Sequence, residues 1–84
     1  MGKYDKLLLR VLSGNSDANI HFEDLCALLL HLGFETRVRG SHHLFRKEKI
    51  AEKINLQHDG GMAKPYQVKQ VRNTIVKYKL GGAS

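Results

Sequence analysis

The spacing of apolar residues changes at Gly33, and that change sets what this chain can fold into. Before it, Tyr4, Leu7, Leu8 and Val11 recur at the i, i+3, i+4, i+7 spacing of an amphipathic helix. Phe22, Leu25, Cys26, Leu29 and Leu32 make a second such stripe. After it, Phe34-Glu35-Thr36-Arg37-Val38-Arg39 alternates apolar or small with charged, the pattern of a half-buried strand. A chain that moves from a helical to a two-residue period asks for helices packed on a sheet.

The punctuation agrees with the periods. Ser13-Gly14-Asn15-Ser16-Asp17 separates the first helix, Lys3–Leu12, from the second, His21–Leu32. With His21 as the cap, Ile20 and Leu25 stand at the spacing of a hydrophobic staple. Gly33 suits the position just past a helix end. Leu28 and Leu30 widen the apolar face of the second helix, so it should be covered on two sides, with the first helix as one cover. Gly40-Ser41 turns the chain into a second strand, His42–Lys47, and Lys47-Glu48-Lys49 turns it again. Lys53–Gln57 reads as a third strand and His58-Asp59-Gly60-Gly61 as loop. Pro65 fits the first turn of a last helix, which runs from about Tyr66 to Lys79 with Val68, Val71, Arg72 and Ile75 on one stripe, Gly81-Gly82 marking its end.

The expected fold is therefore one α+β domain over residues 1–84, in the order α-α-β-β-β-α. A three-stranded antiparallel sheet has its helices packed on one face. Phe45 should face those helices. Alternation then puts His43 on the same side, and His42 on the open face with Leu44 and Arg46. A bulge at Gly40-Ser41 would break this parity.

Charge is divided along the chain. Residues 1–36 carry a net −2 and residues 37–84 a net +8. A basic block of this size in a small domain points to a polyanionic partner, nucleic acid first. No apolar run approaches the roughly 18 residues of a membrane span, and the start lacks the apolar stretch of a signal peptide. A cytoplasmic protein without membrane contact is the expectation. Cys26 is the only cysteine, so neither an intrachain disulfide nor a cysteine-rich zinc site can form.

The chemistry concentrates in Arg37-Val38-Arg39-Gly40-Ser41-His42-His43-Leu44-Phe45-Arg46-Lys47. Histidine as a residue type gains and loses a proton near pH 6.5. Arginine and lysine hold phosphate. Together they are the minimum kit for cutting RNA without a metal, because RNA brings its own nucleophile, the 2′-OH. His42 and His43 are the catalytic candidates. Arg37, Arg39, Gly40, Ser41, Arg46 and Lys47 are candidates for holding RNA, as is Lys64, at a helix start where phosphate binds well. Adjacent histidines on a strand point opposite ways, and no carboxylate or cysteine is spaced to join them, so neither a metal nor another cofactor is expected.

Gly40-Ser41-His42-His43-Leu44-Phe45 resembles the Gly-Ser-His-His signature of HicA-family toxins, the RNA-cleaving members of HicA–HicB toxin–antitoxin pairs. Lys64-Pro65-Tyr66-Gln67-Val68-Lys69-Gln70-Val71 resembles the segment opening that family's last helix, and Leu32-Gly33-Phe34 fits as well. The resemblance spans about residues 20–80, leaving 1–19 as an additional N-terminal helix. It implies a double-stranded-RNA-binding-domain-like fold, cleavage of mRNA and a HicB-type antitoxin as partner. Carried over by position, the catalytic histidine is His42, with His43 its neighbour. A non-catalytic double-stranded-RNA-binding module is the alternative, which needs basic residues but no histidine.

Overall fold

The computed structural model describes residues 2–58 and 60–80. Helices α1 (Lys3–Ser13) and α2 (Phe22–His31) precede strands β1 (Glu35–Arg39), β2 (His42–Arg46) and β3 (Ile54–Gln57), and helix α3 (Pro65–Tyr78) closes the order. The strands form one antiparallel sheet in the order β1-β2-β3. The α+β architecture, the strand number and the element order match those expected from the sequence.

Helix boundaries follow local chemistry. Gly14 and Gly33 hold positive φ at the ends of α1 and α2, a conformation that costs glycine little. Lys79, in the left-handed region, caps α3 after Tyr78. The helix thus stops before Gly81-Gly82, which lie outside the described residues. A 3-10 turn, Asp17–Asn19, starts at the last residue of the expected turn. Lys64 N–H bonds the Gln67 carboxamide at 3.3 Å, and Pro65 occupies the first turn, where its missing N–H costs nothing.

One core joins all the helices to one face of the sheet. Leu7 and Val11 from α1, Ile20, and Phe22, Leu25, Leu28 and Leu29 from α2 are buried. They meet Phe45 of β2, Ile54 and Leu56 of β3, and Val68, Val71 and Ile75 of α3. Helix α1, which contributes Leu7 and Val11, is therefore structural rather than an appendage. Leu28 is wholly buried as expected, whereas Leu30, nominated with it, is exposed: the second cover of α2 does not reach round that far. Cys26 is half-buried, and burial, reinforced by Glu23, pushes its thiol up to about 11. It is a chemically quiet residue, and alkylation by iodoacetamide at pH 8 should be much slower in the folded protein than in urea.

Polar ties lock α1 in place. The Arg72 guanidinium on α3 donates to Asp17 Oδ1 at 2.8 Å and to the Val11 carbonyl at 3.2 Å. It neutralises the carboxylate and satisfies a carbonyl at the C-terminal end of α1. Arg10 reaches the Asn19 carbonyl at 2.8 Å from the other side. Gln67, fully buried, spans from the α3 start to the Gln57 carbonyl at 3.5 Å.

Strand β1 departs from expectation. Its alternation predicted a half-buried strand, yet all five of its residues are exposed. The helix layer covers β2 and β3 only, so Thr36 and Val38 face the helix side without reaching the core. Alternation reports which face a residue takes, and coverage of that face depends on how far the helices extend.

These ties differ in what they contribute. Phe45→Ala removes the aromatic that joins sheet to helices and should cost about 3–5 kcal/mol in urea denaturation. Arg72→Ala leaves Asp17 partly buried without its partner and should cost about 1–2 kcal/mol. Lys77→Ala breaks an ion pair of the same 2.8 Å length, Lys77–Glu52, whose lysine is largely exposed, and should change stability measurably less than Arg72→Ala.

Candidate nucleic-acid interface

The candidate surface is created by a two-residue reversal. Gly40 has φ +57°, and Gly-Ser is the residue pair a type II′ hairpin turn favours. Arg39 pairs with His42 directly across the turn, and the register runs without interruption to Glu35 and Arg46. No bulge intervenes. A Cβ on Gly40 would meet nothing within 4 Å, so glycine is required there by the backbone angle and not by space. The Ser41 carbonyl accepts the His58 N–H at 2.7 Å, which ties the hairpin to the end of β3.

With the register set, the pleat sorts the side chains. Arg39, His42 and Gln57 lie across one row of the open face, and Arg37, Leu44 and Asn55 across the next. Neighbours within a row sit with Cβ atoms about 5 Å apart. Arg37, Arg39, His42, Leu44 and Asn55 line a depression of about 300 Å³. Its floor is aliphatic at Leu44, its rim carries two guanidiniums, and an exposed imidazole stands at one end. Such a surface can hold a phosphate against a group able to move a proton.

His43 points the other way, as parity required. It lies half-buried with its ring edge-on to Phe22, the centroids 5.0 Å apart. His58 packs against the same Phe22 ring at 4.8 Å. The structure therefore separates the two catalytic candidates: His42 stands in the basic depression and His43 in the packing layer behind it. His31 stacks on Tyr4 at 4.3 Å, and His21 is the N-cap residue of α2.

The remaining nominated residues are scattered. Arg46 shares the open face but sits four residues along β2, roughly 13 Å from His42. It faces Glu35 across the register, with an ion-pair distance of 3.9 Å. The Lys47 ammonium lies beside Gly33, at the C-terminal end of α2, where the helix dipole favours a cation. Lys64 caps α3, whose body packs on the covered side of the sheet. Asn55 and Gln57 were not nominated. Their signal was available, since the alternation that buries Ile54 and Leu56 turns both onto the open face. Among the described residues, no three His, Cys, Asp or Glu side chains converge as a metal site needs. No described helix is long and apolar enough to cross a membrane.

The model of the HicA toxins of bacterial toxin–antitoxin systems matches residues 22–77. The chain belongs to the HicA toxin family. No curated protein and no solved structure matches it. Membership of the family makes the chain the toxin of a toxin–antitoxin system and implies an antitoxin partner. The match contains the hairpin, the depression and the whole sheet, and it begins at Phe22. The HicA-matching segment thus excludes α1, although α1 contributes Leu7 and Val11 to the core.

The two histidines should respond differently to substitution. His43→Ala removes a ring that packs on Phe22 and should lower the melting temperature by several degrees. His42→Ala, on the exposed face, should leave thermal unfolding within about 1 °C of wild type. Circular dichroism melts of both variants check this pair of outcomes.

Proposed function

We propose that this HicA-family toxin is a metal-independent endoribonuclease that cuts mRNA, with His42 as its acid–base group. One observation carries the reading: His42 stands on the open sheet face directly across from Arg39, in a depression whose rim adds Arg37. Metal-free cleavage of RNA needs a proton acceptor and a phosphate grip within reach of one another, and these residues supply both.

In this mechanism the arginines seat a phosphodiester over Leu44 and Asn55. His42 takes the proton from the 2′-OH as that oxygen attacks phosphorus. The P–O5′ bond breaks, and the imidazolium just formed is the acid that returns a proton to the departing O5′. Arg39 offsets the additional negative charge on the phosphorane. The products are a 2′,3′-cyclic phosphate and a free 5′-OH. A positioned acid–base group contributes about 10²–10⁴-fold.

Growth and cleavage assays test this directly. Wild-type protein should arrest a bacterial host and cut RNA in EDTA, leaving cyclic phosphate ends, while matched DNA stays intact. His42→Ala should remove both effects without loss of fold. Continued cleavage by folded His42→Ala, with activity lost instead in His43→Ala, would reverse the assignment. Binding without cleavage by the wild type would favour the double-stranded-RNA-binding alternative.

Salt dependence reads the phosphate grip separately. Removing one phosphate-neutralising cation should reduce the slope of log affinity against log salt by about 0.7 for single-stranded RNA. Arg37→Ala and Arg39→Ala should each show that reduction. Arg46→Ala, with Glu35 beside it and far from His42, should change the slope less.

A further inference from the structure

Strand β1 borders the His42 depression and is uncovered in every respect that matters for pairing. It stands at the edge of the sheet, paired with β2 on one side only, and all five residues are exposed. Arg37 and Arg39 project to the open face, while Thr36 and Val38 project to the helix side beyond the reach of the helices. Val38 is 55% exposed, a β-branched side chain in water next to a row that ends in the core residue Leu56.

We propose that β1 is a docking edge to which the antitoxin adds an acidic β-strand. The existence of an antitoxin is taken from the family, and the regulatory consequence rests on the role of His42 proposed above. An added strand satisfies the free main-chain groups of β1, and its alternate side chains meet the two faces separately. On the open face they meet Arg37 and Arg39, which call for Asp or Glu. On the helix side they meet Thr36 and Val38, which call for small apolar residues. The matching segment is a strand in which acidic and apolar residues alternate.

The charges on β1 also decide against the simplest competitor, a second copy of this chain. Antiparallel self-pairing centred on Val38 sets Arg37 against Arg39 twice. Centring on Arg37 gains Glu35–Arg39 pairs only by opposing the two Arg37 side chains, and each copy carries a net +6. Edge charges of one sign repel self-association while admitting a strand of the opposite sign. Inhibition follows from position. Arg39 is the cross-strand neighbour of His42, so a carboxylate drawn onto it competes with the RNA phosphate.

The test uses the full chain, ¹⁵N-labelled, with the peptide acetyl-Glu-Val-Glu-Val-Glu-Val-Glu-amide at millimolar concentration. Hydrogen exchange and intermolecular NOEs are followed at residues 35–39. Expected are about tenfold slower exchange at outward-pointing β1 amides, NOEs from peptide backbone to β1, and no protection by the Lys-Val counterpart. The double variant Arg37→Glu/Arg39→Glu should lose at least about tenfold in affinity. His42→Ala should bind the peptide as wild type does while failing to cut RNA, so docking and catalysis are read independently. The idea is overturned if β1 shows no protection, or if shifts are confined to His42, Leu44, Asn55 and Gln57, which means a polyanion lying across the open face. It is equally overturned if the chain alone sediments as a dimer with β1 amides already protected.

Discussion

The pleat of β2, pinned by burial of Phe45, is the constraint on which the rest depends. Phe45 is 1% exposed and meets residues from α2, α3 and β3 in the core. Because successive side chains on a strand alternate, seating Phe45 inward leaves no choice for its neighbours. His43 must join the packing layer and His42 must face solvent. Shifting the register by one residue would put two histidines and an arginine on the wrong faces and expose the aromatic. The core thus sets the chemistry of the surface from behind.

Two further features make that arrangement rigid. The Gly40-Ser41 turn reverses the chain in two residues, so Arg39 and His42 are brought together by backbone geometry rather than by any contact between them. The Ser41 carbonyl then anchors the turn to His58 at the end of β3. Behind the sheet, the Phe22 ring is held between His43 and His58. Each histidine outside the depression therefore has a packing or boundary role, and His42 is left to solvent.

The helix that lies outside the family match is held by two kinds of interaction with different weights. Leu7 and Val11 contribute apolar burial. Arg72 contributes specificity, fixing the end of α1 and the following 3-10 turn through one guanidinium. Arg72 and Asp17 are both more shielded from water than Lys77 and Glu52 are, which is why the contact should count for more than the equally short Lys77–Glu52 pair. A domain this small gains needed core from the additional helix, since chains of this length bury a limited share of their surface.

Much of this was legible from residue order alone. The change of period at Gly33 separated helices from strands, and the single aromatic at Phe45 set the faces of His42 and His43. Periodicity is local, and it survives in the sequence because each strand or helix must present one apolar side. The face taken by a residue is thus a sequence property. Whether that face is covered is not. β1 alternates like its neighbours and is nonetheless bare, because coverage depends on how far α2 and α3 extend over the sheet. Arg72 shows the same division: its spacing placed it on a helix stripe, but its partners lie 55 and 61 residues away. Lys47 and Lys64 belonged to the same basic block as Arg37 and Arg39, yet neither lines the open depression. Charge summed along a chain records how many cations there are, and only the tertiary structure decides which of them share a surface.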